Sequence, residues 1–226
     1  MLRDAVVYEE ADVVQIPAQI EDLLSGSGNT VGNIDHQRVQ ATSGLSATAS
    51  IKTLTGEKPL GQIEIGDLVL TRDNGFQPVR WIGALAAGSE PRQIVIRAAA
   101  LGENVPCRDL RMALTQRVLN SAPVLTHTLE HSEALIRARD LLALDGVEMC
   151  DDRQAAAGWQ ILLDRHELIM ANDMWTETWQ PEAAQLAQLP KPEREAVLTL
   201  CPKLSRKGAH RAFPAARRQK RLDLAA

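Results

Sequence analysis

DLVLTRDNGFQPVRWIG, residues 67–83, is the stretch on which the reading of the fold turns. Two alternating runs flank Asp73-Asn74-Gly75, and this turn chemistry favours the positive φ that a tight hairpin needs. Upstream, IKTLTGEKPL (51–60) repeats the theme, with Gly56 placed in a tight turn between two short strands. Downstream, RQIVIRA (92–98), RVL (117–119), ALIRA (134–138) and WQILLDRHELIMAN (159–172) are further strand candidates. The last contains a turn near Asp164–His166. Short strands at close spacing, with no long helices between them, predict an all-β domain with irregular loops. Helix is expected only late. PEAAQLAQL (181–189) and PEREAVLTL (192–200) each carry proline at a helix start and apolar residues at helical spacing, a short pair packed on the β body.

The chain has 226 residues, 45% of them hydrophobic, which suits one large domain with extensions and excludes wholesale disorder. No apolar run reaches the roughly 18 to 20 residues of a membrane span, and the acidic start lacks the apolar core of a signal peptide. The expectation is a cytoplasmic protein. Cys107, Cys150 and Cys201 are too few and too scattered for a disulfide framework, which points to a reducing compartment. The net charge of −4 hides a split. From Lys203 onward there are eight Lys and Arg and one acid, leaving the preceding 202 residues at −11. Four regions follow: an extension or linker over 1–43, a β domain over 44–180, a helical segment over 181–204, and a basic, mobile tail over 205–226. The basic residues of 203–221 suit an anionic partner, whether nucleic acid, membrane surface or acidic protein. Without stacking aromatics or a recognition helix, nucleic-acid binding there would be non-specific. A solubilising tail folded back on the acidic body is the competing reading.

Two polar clusters attract chemistry. His127, Glu130 and His131 fit an HxxEH metal pattern, set against a plain solvent-exposed loop after Pro123. Asp164 and His166 would face one side of a strand, where the carboxylate orients the imidazole for acid–base work; a charged turn is the alternative. No glycine-rich nucleotide loop and no GxSxG elbow occurs, and no cofactor is called for.

Taken in order, several blocks resemble the bacterial Hint (hedgehog/intein) family. They are Ile51-Lys-Thr53-Leu-Thr-Gly56-Glu57, Ile65-Gly66-Asp67 through Gly75, Pro78-Val79-Arg80-Trp81-Ile-Gly83, and Ile94-x-Ile-Arg97-x-x-Ala100-Leu101-Gly102. Asp109-Leu110-Arg111, Arg117-Val118-Leu119, Ile161-x-Leu163-Asp164-Arg165-His166-Glu167 and Leu200-x-Pro202-x-Leu204 complete the series, which spans about Gly44 to Leu204. The resemblance implies a horseshoe-like fold of short strands and a self-cleaving activity. In it, a first cysteine attacks the preceding carbonyl and a histidine protonates the leaving amide nitrogen.

At both places this chain departs from the pattern. The family opening resembles Cys-Phe-x-x-Gly-Thr-x-Ile-x-Thr-x-x-Gly; anchored on Ile51, Thr53 and Gly56, its cysteine falls on Gly44 and its phenylalanine on Leu45. The block resembling Val-Ser-Pro-Gln-His-Arg-Val-Leu reads Met112-Ala113-Leu114-Thr115-Gln116-Arg117-Val118-Leu119, so the histidine becomes Gln116. Glycine offers no nucleophile, and glutamine donates a hydrogen bond without shuttling a proton. Asp164 and His166 stand where the family carries Asp-x-His, and no His-Asn dipeptide is present for asparagine cyclisation. The expectation is a Hint-fold domain that has lost autoproteolysis and serves as a structural or interaction module. The alternative retains cleavage through an N–O acyl shift at Ser46 or Ser43, with His166 supplying the proton.

Overall fold

The computed structural model describes residues 43–85, 93–120, 134–150, 158–181, 183–202 and 221–222. The deciding stretch folds as expected. Strand β3 (Leu68–Thr71) pairs antiparallel with β4 (Gly75–Pro78), with Thr71 opposite Gly75. Gly75 takes φ +64°, and the Thr71 hydroxyl donates to its carbonyl at 2.6 Å. The hairpin of β1 (Ser50–Thr53) and β2 (Gly56–Pro59) uses the same device. Gly56 sits at φ +119° and the Thr53 hydroxyl donates to its carbonyl, again at 2.6 Å. In each case a threonine closing one strand caps the glycine that starts the next.

The remaining strands are β5 (Trp81–Leu85), β6 (Gln93–Ile96), β7 (Leu110–Ala113), β8 (Arg117–Asn120), β9 (Ala134–Arg137), β10 (Val147–Cys150), β11 (Gly158–Leu162), β12 (Leu168–Ala171), β13 (Met174–Glu177) and β14 (Arg221–Leu222). Two helices close the series, α1 (Ala183–Gln188) and α2 (Lys191–Leu200). Pro192 occupies the first turn of α2, where its missing N–H costs nothing. The all-β expectation with a C-terminal helical pair holds.

Three sheets result among the described residues. The largest has the order β14-β9-β8-β13-β12-β1-β3-β4, with β2 alongside β1; the others are β10-β6-β7 and β11-β5. Residues 159–172 therefore do not form a hairpin. β11 pairs with β5, whereas β12 pairs with β13, β1 and β3, and the polar turn between them carries the chain from one sheet to another. Within the stretch expected as a mobile tail, Arg221–Leu222 pairs in parallel with β9; the rest of 203–226 lies outside the described residues.

The main core is built from inward positions of several sheets, among them Ile51, Val69, Ile94, Met112, Ile136 and Ile169, each at most 2% exposed. A second core sits under the helices. Trp81 and Trp179 meet with ring centroids 4.7 Å apart, and Leu162, Leu186, Leu189 and Val197 close around them. Burying such aromatic and aliphatic groups is what fixes two helices too short to be stable alone. None of the described helices is long and apolar enough to cross a membrane.

Asn172 is the polar hinge of this arrangement. With Asp173 it forms the two-residue β12–β13 turn, at φ +47° and +59°. Its Oδ1 accepts the Ser50 N–H at 2.7 Å, and its Nδ2 donates to the carbonyls of Asp109 and Arg108 at 3.0 and 3.3 Å. Three segments distant in sequence are thereby tied to one amide. Asn172→Ala strands a buried N–H and places a Cβ-bearing residue without a local hydrogen bond at positive φ, a loss of roughly 3 kcal/mol. Urea unfolding checks it, with Asn172→Gly expected to lose less because only the side-chain bonds go.

Candidate functional site at the domain's first residue

The chain enters the domain between two sheets. Leu45 bridges Met112 of β7 on one side and Trp159 of β11 on the other. Its N–H donates to the Trp159 carbonyl at 2.9 Å, and the Trp159 N–H donates back to the Leu45 carbonyl at 2.8 Å. Toward β7, Ser46 N–H donates to the Arg111 carbonyl at 2.9 Å and Ala113 N–H donates to the Gly44 carbonyl at 2.8 Å. Residues 44–46 thus act as a short strand joining β10-β6-β7 to β11-β5.

Around this junction runs a chain of amides and hydroxyls. The Ser43 hydroxyl oxygen accepts from Gln160 Nε2 at 2.7 Å and from Gln185 Nε2 at 3.4 Å. Gln185, on α1, is itself held by the Trp179 indole N–H at 2.8 Å. Gln160 Nε2 also reaches Gln116 Oε1 at 3.4 Å. Gln116 is 1% exposed, and its Nε2 donates to Thr176 Oγ1 and to the Glu177 carbonyl, both at 2.8 Å. No member of this chain titrates near neutral pH.

The charged groups lie to either side. His166, 2% exposed, places Nε2 3.3 Å from Glu177 Oε2 without hydrogen-bond alignment, and Glu177 Oε1 lies 3.5 Å from Arg117 Nη1. Asp164 is exposed and forms a forked pair with Arg80, at 2.9 and 2.7 Å. The structure does not bring Asp164 and His166 together. Residues 163–167 lie outside the strands, with a bend at 164–165, so alternation does not apply there: Asp164 is exposed and His166 buried. Ser46 is also remote in bonding. Its hydroxyl shares a 2.8 Å bond with that of Thr48, whose N–H it accepts at 3.2 Å, a local turn.

His127, Glu130 and His131 lie outside the described residues, and no group of three His, Cys, Asp or Glu among the described residues is arranged to hold a metal. Cys107, Cys150 and Cys201 are free thiols. The sequence reading missed Gly158, Gln160, Thr176, Glu177 and Gln185. Only Gly158 carried a signal, since a glycine opening an apolar strand marks close backbone approach.

A family model for the Hint domain matches residues 44–183, more than half of the chain. The chain belongs to the Hint domain family. Its match begins at Gly44 and stops at Ala183, short of the Leu204 that the sequence blocks suggested. Among solved structures, the gp41-1 intein is similar at 17% identity and a TM-score of 0.39, covering 60% of this chain and 98% of that one. The MchDnaB-1 intein is similar at 12% identity and a TM-score of 0.40, covering 58% and 98%. No curated protein matches.

One carboxylate of this Hint domain has a resolvable pH consequence. Glu167 is 2% exposed; its Oε1 accepts Asn74 Nδ2 at 2.7 Å, which pins the β3–β4 turn, while Oε2 is buried without a hydrogen bond. Burial pushes its carboxyl above the ordinary range, and the nearby Asp73 adds to that against the opposing Asn74 bond. A carboxyl whose folded pKa is raised favours the protonated form, so stability is lost as pH rises from the unfolded value through the folded one. Glu167→Gln removes that loss. Urea unfolding from pH 4 to 7 is expected to show the variant gaining on the wild type as pH increases.

Proposed function

We propose that this Hint domain no longer cleaves its own chain and works as a structural or interaction module. The observation that carries the reading is the chemistry at Gln116. A buried amide, bonded through both Thr176 and the Glu177 carbonyl, stands where the family resemblance calls for a proton donor. An amide that donates to two acceptors stabilises the strands it joins, but it has no proton to give a leaving nitrogen. The residue that the same resemblance makes the nucleophile is Gly44, which has no side chain.

His166 offers no substitute in this reading. Its Nε2 lies 3.3 Å from the Glu177 carboxylate, and the Glu177 carbonyl in turn accepts from Gln116, so these contacts hold it beside Glu177 and not at the Ser43–Gly44 peptide. The hydroxyl closest to the junction, that of Ser43, is surrounded by glutamine amides and not by a base. Ser46 Oγ is committed to Thr48, and the Leu45 carbonyl that it would attack accepts the Trp159 N–H at 2.8 Å.

The purified full chain, incubated for a day at neutral pH with dithiothreitol or hydroxylamine, is expected to give one species of 24.7 kDa by intact-mass spectrometry. Thiol-stimulated fragments ending at Ser43 would overturn the proposal. Hydroxylamine-sensitive fragments lost in Ser43→Ala or Ser46→Ala would instead establish the serine route.

A further inference from the structure

The place where a side chain would grow from residue 44 is filled by backbone. A Cβ built on Gly44 would lie 2.5 Å from the carbonyl carbon of Gly158, 2.7 Å from its Cα and 2.9 Å from its oxygen. The reverse is equally tight, because a Cβ on Gly158 would lie 2.5 Å from the Ser43 carbonyl oxygen and 3.2 Å from the Gly44 Cα. No flexible side chain is available to give way on either side. Gly44 also holds φ +135°, a backbone region that residues with a Cβ avoid.

The surrounding bonds keep the two glycines at this distance. The paired bonds between Leu45 and Trp159 fix the neighbouring residues of both segments, and the Ala113–Gly44 bond holds the opposite edge. Moving the opening segment away from β11 breaks the first pair; moving it toward β7 compresses the second. Gln160, two residues along β11, then fastens the Ser43 side chain.

We infer that Gly158 is a positioning residue that closes the Ser43–Gly44 junction, a barrier to acyl transfer separate from the two substitutions at positions 44 and 116. The inference rests on the inactive reading above and extends it to a glycine that the family resemblance did not single out. An acyl shift at this peptide would join a residue-44 Sγ to the Ser43 carbonyl carbon and break the bond to the residue-44 nitrogen. That nitrogen leaves as an amine after gaining a proton, and a thiol in solution then takes the acyl group. Each event needs a side chain at 44 and freedom of the Ser43 carbonyl, and Gly158 occupies the space for both.

The double variant Gly44→Cys/Gln116→His restores both family groups, and it is compared with the wild type in dithiothreitol by intact mass. Both are expected to stay full-length. Fragments from the wild type would sink the inactive reading. Fragments from the double variant alone would sink the closure and leave that reading standing. A second measurement does not depend on the cysteine variant folding. Gly44→Ala and Gly158→Ala are each expected to lower Tm by about 5 °C or more, loss of the transition included. Combined, they should cost less than their sum, since either one already opens the contact. A Tm within about 1 °C of wild type for either single variant would overturn the inference.

Discussion

The structure depends on four residues, Ser43 to Ser46, that bond along both of their edges. Among the described residues, Leu45 is what bridges β7 and β11, and without it the sheets β10-β6-β7 and β11-β5 share no strand. That double pairing brings β11 beside β7, which lets Gln160 meet Gln116. It also sets how closely the backbone of residue 44 approaches residue 158. The glycines at both positions follow from the spacing. A strand inserted between two others by a single residue has no slack in which to accommodate a Cβ that points at its neighbour's main chain.

What the junction has gained in exchange is polar order. Glutamines at 116, 160 and 185 each present a donor and an acceptor on one flexible stem, so they can bridge groups that do not lie in a regular ladder. Buried amides of this kind are costly unless satisfied, and here both Nε2 bonds of Gln116 are made at 2.8 Å. The titratable side chains stand outside the amide network. Asp164 is at the surface with Arg80, and His166 is confined beside Glu177.

The fold was largely legible because its signals are local. Asp73-Asn74-Gly75 and Gly56 marked two hairpins through backbone preference alone, and the proline-led runs marked both helices. The Asn172-Asp173 turn carried a comparable signal and went unread, because the apolar run of 159–172 hid that β12 continues into a hairpin with β13. The site was less legible. Gly44 and Gln116 could be placed by their flanking residues, but which groups surround them depends on sheet order. Gln160 reads as an ordinary strand residue and Gln185 as an ordinary helix residue, and neither position announces that it meets Ser43. For Asp164 and His166 spacing left two readings open, a shared strand face or a charged turn, and the chain bends there.

Gln185 stands two residues beyond the end of the family match, yet it reaches the residue just before that match begins. The entry to the domain and its first helix therefore touch, with Ser43 and Gln185 within a hydrogen bond of each other. A fragment ending at Ala183 would lose α1, and with it the Gln185 amide that ties Trp179 to Ser43 and the leucines that cover the tryptophan pair.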